Sequence, residues 1–195
     1  MLISTFELLL KSQLPQDLPP AVPQEARNLS RNVIQGYFLT IANLSSFDLV
    51  LSLVFTTRLT PPRNLDDIIA FLDTSGNNIS GSLSVDNAAI AGNKFRFSPL
   101  FLAAGATGLF IIQPNIVAKP ELLNSLDFEV RGYAEIFLSS LAGPLTDINL
   151  QVTPEHRGTF FGDLSQDNIT DRGLDQIAYS LPVQNGGLFT LSTSS

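Results

Sequence analysis

The chain has 195 residues, enough for one sizeable all-β domain. Only 15% of them are charged, against roughly 25% in an ordinary soluble domain, and the mean hydropathy is positive at +0.21, so part of the surface is expected to be covered by partner chains. A net charge of −7 with its few bases scattered excludes phosphate-neutralising clusters for nucleic acid or anionic membranes, and the absence of cysteine excludes disulfides, thiolate nucleophiles and cysteine-ligated metals.

Residues 1–30 read as an arm that precedes the main domain. The apolar run in Met1–Lys11 has no basic segment before it and no small-residue cleavage site after it, so no signal peptide is expected. Together with the lack of cysteine, this suggests a cytoplasmic protein. No window approaches the roughly 18 consecutive apolar residues of a membrane span, so no membrane insertion is expected. The run fits a helical stripe or a strand equally well. Pro15, Pro19, Pro20 and Pro23 then fix φ and remove donors, which predicts an extended linker. Leu2, Phe6, Leu9 and Leu10 are therefore expected to mediate self-association, reaching a neighbouring copy across that linker.

From Val33 the chain reads as strands. Val33–Asn43 and Leu49–Thr57 are rich in β-branched and aromatic residues and flank a hairpin loop at Asn43–Asp48. Ile68–Leu72 and Ile79–Val85 flank the turn cluster Asp73–Asn78. Phe95–Ser98, Thr107–Gln113, Phe128–Leu138, Ile148–Thr153, Gln176–Leu181 and Leu188–Leu191 follow. Asn64–Phe71 and Pro120–Leu126 are the only helical candidates, each about two turns. Turn signals recur at the spacing of sandwich folds, which predicts an antiparallel β-sandwich over 31–195, immunoglobulin-like or jelly-roll. The run Leu102–Pro114 resembles the late turn and strand of bacterial immunoglobulin-like modules, which implies the fold class and no activity. Leu49–Thr57 is apolar on both faces and so needs cover on the second one.

Three groups of residues are candidates for chemistry. His156, the only histidine, lies in Pro154-Glu-His-Arg-Gly158 and reads as an exposed loop residue, with no Gly-x-Ser-x-Gly elbow for it to serve. Asp163, Asp167 and Asp171 offer hard oxygen ligands for calcium, but their spacing is not that of an EF-hand. On Phe128–Leu138, alternation places Glu129, Arg131, Tyr133 and Glu135 on one face, a candidate ligand-binding surface. Glu129 and Glu135 lie roughly 20 Å apart along the strand, too far for a glycosidase pair. Asn28, Asn43, Asn78 and Asn168 each begin an Asn-x-Ser/Thr triplet, which a chain this rich in Asn, Ser and Thr produces by composition.

The sequence thus predicts no catalytic residues and no cofactor. The expected function is a non-enzymatic structural or interaction protein that forms a homo-oligomer. The alternative is a β-sandwich module that binds carbohydrate or another small molecule.

Overall fold

A computed structural model describes the chain apart from residues 16–17, 24, 26–29, 86–92, 140–146, 163, 165–166, 169–171 and 193–195. The described strands are β1 (Leu2–Ser12), β2 (Asn32–Asn43), β3 (Leu49–Thr57), β4 (Ile68–Asp73), β5 (Ile79–Gly81), β6 (Ser84–Val85), β7 (Lys94–Leu102), β8 (Thr107–Pro114), β9 (Asp127–Leu138), β10 (Ile148–Phe161), β11 (Asp175–Ser180) and β12 (Leu188–Leu191). The all-β class expected from the sequence is observed, and every strand pairing is antiparallel. The hydrogen bonds join all twelve strands into a single curled sheet rather than two separate ladders.

The curl begins at β2. One edge of β2 pairs with β10 along its whole length, from Asn32 opposite Phe161 to Asn43 opposite Leu150. The other edge is divided: Asn32–Gln35 pair with β1, and Tyr37–Ala42 pair with β8. Gly36 falls at the change of partner. A Cβ there would lie 2.9 Å from the Ile112 carbonyl oxygen and 3.0 Å from Gln113 Cβ, so only glycine lets β8 close in directly beside the fork. Two limbs leave this point, β8-β4-β5 and β1-β9-β3-β7-β6.

The limbs face each other across an aromatic core. Phe55 of β3 stacks on Phe110 of β8 at 5.6 Å, and Phe97 of β7 meets Phe110 edge-on at 4.8 Å. Phe6 of β1 packs on both Tyr37 and Phe55, at 6.0 and 5.6 Å. The rings are tilted or edge-on in all but one of these pairs, as their quadrupoles favour.

Residues 1–30 differ from the expected arm. Leu2–Ser12 is an internal strand of the chain's own sheet, paired with β9 on one edge and β2 on the other. Phe6 and Leu10, expected to reach a neighbour, are buried in this core with Ile3 and Leu8; Leu9 is half-buried and Leu2 exposed. The physical reason is alternation at period two. Phe6, Leu8 and Leu10 share one face, and Thr5, Glu7, Leu9 and Lys11 share the other. Burying those three side chains contributes about 1.5–3 kcal/mol each. The prolines lie in the long connection of a β1–β2 hairpin, closed where the Gln13 amide donates to the Arg31 carbonyl at 2.8 Å.

Other departures are local. The expected helix at Asn64–Phe71 is one 3-10 turn, Leu65–Asp67, capped at Asn64, after which β-branched Ile68 and Ile69 continue as β4. The Pro120–Leu126 candidate forms a single helical turn, α1 (Leu122–Ser125). The second face of β3 is covered from within its own sheet. Val54 lies in register between Arg96 and Glu135, whose long side chains flank it, and is 1% exposed. Asn43 is also buried, with its amide donating to the Phe47 and Ala103 carbonyls, so it is no glycan acceptor in the folded chain. No helix among the described residues is long and apolar enough to cross a membrane.

Candidate functional site

The fork leaves β1 with an unfinished edge. Beyond Leu9, opposite Gln35, β1 parts from β2, and the backbone of Glu7 loses its ladder partner. Side chains from the strands beneath replace it. The Glu7 amide donates to His156 Nε2 at 3.0 Å. His156 Nδ1 lies 3.1 Å from the Tyr179 hydroxyl, which donates to Gln35 Oε1 at 3.3 Å. Gln35 Nε2 returns to Glu7, donating to its carbonyl at 3.4 Å and its carboxylate at 3.3 Å.

This closed ring assigns the imidazole proton. Nε2 accepts, so the neutral ring carries its hydrogen on Nδ1 and donates it to Tyr179. His156 is 6% exposed, and burial pushes its pKa down, partly opposed by the Glu7 carboxylate. The histidine expected in an exposed loop is therefore a buried strand residue. The reason is that β10 runs on through Pro154–Gly158, paired on one side with β2 and on the other with β11, with His156 between Tyr37 and Tyr179. Tyr37 sits against the same imidazole, its hydroxyl 3.0 Å from Ser4 Oγ, and burial pushes that phenol up.

The four residues proposed as a ligand-binding face do share one side of β9, and the three charged ones are ion-paired. Arg131 Nε donates to Glu7 at 2.5 Å, and its Nη1 reaches Glu129 at 2.5 Å. Lys11 closes on the other oxygen of Glu129. Hydrogen bonding to Lys11, aided by Arg131, holds the Glu129 carboxyl below the usual range. Glu135 lies 3.6 Å from Lys94, with its Oε2 buried and short of a hydrogen bond, and Tyr133 is exposed. Two acids and two bases in one chain of pairs leave little unpaid charge for a ligand. Asp163 and Asp171 lie outside the described residues, and Asp167 is exposed. Among the described residues no group of three or more His, Asp or Glu is placed to hold a metal.

An open backbone edge lies at β11. Its six residues are all exposed, and among the described residues it pairs only with β10. Ile177 and Tyr179 are 44% and 43% exposed on one face of the strand. On its other face Gln176 and Ala178 join Ile34, Phe38, Arg157 and Gln113 around a groove of about 580 Å³, where the Arg157 guanidinium lies 4.7 Å over the Phe38 ring. Gln176–Leu181 is legible in the sequence as a strand, but its role is not, because an edge strand and an internal strand look alike in one sequence.

No family model and no curated protein matches the chain. Among solved structures, the viral chemokine binding protein R17 encoded by rodent gammaherpesvirus Peru is similar at 9% identity, with 94% of this chain and 64% of that one covered. The chain thus spans less than two thirds of that protein, and at a TM-score of 0.25 the likeness carries no argument about fold or partner.

Proposed function

We propose that the chain is a non-enzymatic interaction protein that assembles with further copies of itself. The observation that supports this best is β11, a six-residue edge strand exposed throughout, with two large apolar side chains in water. Such an edge is a row of open backbone donors and acceptors, which another strand completes. The low charge content agrees with surface that is shared between copies. Sedimentation velocity over a concentration series tests the reading. A mass above that of the monomer, rising with concentration, is expected; a single monomeric species up to the highest concentration overturns it.

A second reading, binding of carbohydrate or another small molecule, rests on the Phe38–Arg157 groove, whose size falls in the range of ligand pockets. Arg157 already pairs with Glu155 at 2.8 Å and covers Phe38, so the groove is partly filled by its own side chains. A screen of glycans by thermal shift, with Phe38→Ala as the control, separates this reading from the first.

A further inference from the structure

Building on the self-assembly reading, we infer that two copies pair β11 with β11 in antiparallel fashion about a two-fold axis through Ala178. The occupant of the open edge is a second copy of the same strand.

The edge of β11 lacks the usual protection. Natural sheet edges are blunted by lysine, proline, bulges or inward-pointing charge. β11 carries no lysine, proline or bulge across Asp175–Ser180, its single charge is its first residue, and its register with β10 is unbroken from Phe160 opposite Asp175 to Glu155 opposite Ser180. The other terminal strands are shorter: β5 has three residues, β6 two and β12 four. Pairing of one strand with its own copy is the isologous contact that closes a dimer and stops there.

Symmetry fixes the register. A two-fold axis normal to the sheet keeps each residue on the same face in both copies, so partners must share parity. With Ala178 on the axis, Ile177 faces Tyr179 of the second copy, and Gln176 faces Ser180. Aromatic and β-branched residues directly opposite are a favourable cross-strand pair. Moving the axis to Ile177 would set Asp175 against Tyr179, and moving it to Tyr179 would set the two phenols against each other. Tyr179 is also held in advance, since its hydroxyl lies between His156 and Gln35. Its ring loses little freedom on pairing.

Charge does not oppose this arrangement. A chain of net charge −7 repels its copies over most of its surface. The one charge in β11 is Asp175, which pairs with Arg31. With the axis at Ala178 the two Asp175 residues are six positions out of step, roughly 20 Å apart, beyond a Debye length of about 8 Å.

The chain has no cysteine, so single-cysteine variants report the register directly. Ala178→Cys places two thiols across the axis, and mild oxidation is expected to give a disulfide-linked dimer. Gln176→Cys places them four positions out of step, roughly 13 Å, too far to bridge, and is expected to stay uncrosslinked. Ile177→Lys puts a gatekeeper charge on the edge and is expected to sediment as a monomer with an unchanged circular dichroism spectrum. Cross-linking through Gln176→Cys, or no cross-linking through Ala178→Cys, overturns the register. A dimer that persists in Ile177→Lys overturns the β11 interface while leaving self-assembly standing. A wild-type monomer overturns both.

Discussion

His156 Nε2 lies 3.0 Å from the Glu7 amide and stands in for the strand that β1 loses at the fork. The two residues are 149 positions apart, yet their contact finishes the edge of an internal strand with an imidazole instead of a carbonyl. The bond requires the neutral ring, because a protonated imidazole has no acceptor to offer.

Stability should therefore depend on pH with a definite sign. Burial lowers the His156 pKa in the fold, whereas in the unfolded chain it stays near 6.5. The unfolded state then binds the proton first as pH falls. The contribution is complete above about 6.5 and is lost as pH drops from there through the lower folded value. Glu7, itself paired with Arg131, and Tyr37 and Tyr179 beside the ring are the titratable groups that face it. His156→Gln should melt at nearly the same temperature at pH 7.5 and pH 5.5, while the wild type loses stability across that interval. Equal losses in both proteins would contradict the ring.

Replacing Leu10 by Ala should cost about 2–5 kcal/mol in urea unfolding, the range for truncating a buried leucine. Leu10 is fully buried between the limbs, so the loss should appear in the monomer and be independent of protein concentration. Deleting residues 1–12 should abolish cooperative unfolding. A truncated chain that unfolds cooperatively would restore the reading of β1 as a separate arm.

Gly132 of β9 lies between Phe6 of β1 and Thr57 of β3. A Cβ there would sit 2.2 Å from the Thr56 carbonyl oxygen and 2.9 Å from the Phe6 ring, so Gly132→Ala must push a strand or the ring aside. A loss of about 1–3 kcal/mol or more is expected, as for overpacked cores. A neutral result in chemical denaturation would show that the β3–β9 junction is looser than described.

Much of the strand order was legible because it is local. β2 and β3 announce themselves through β-branched and aromatic runs, and β9 through alternation that places Phe128, Val130, Ala134 and Ile136 inward. The alternation of Phe6, Leu8 and Leu10 was also present, but nothing local says that the partners of β1 lie at Asp127–Glu135 and Asn32–Gln35. His156 was hidden by its neighbours. Proline, glycine and charges around it mimic a loop, although Val152, Pro154, His156 and Gly158 keep the period-two burial of a strand. The neutralisation of Arg131 was out of reach for the same reason as β1, since its partner Glu7 is 124 residues away.

The most direct measurement of the association surface is hydrogen–deuterium exchange of the segment 175–180 at increasing protein concentration. Its outward amides are open in the monomer and bonded when β11 pairs with a second copy. Exchange in this segment is expected to slow as concentration rises, while β5, β6 and β12 keep their rates. Exchange in 175–180 that is indifferent to concentration, or protection that grows at another edge, would contradict it.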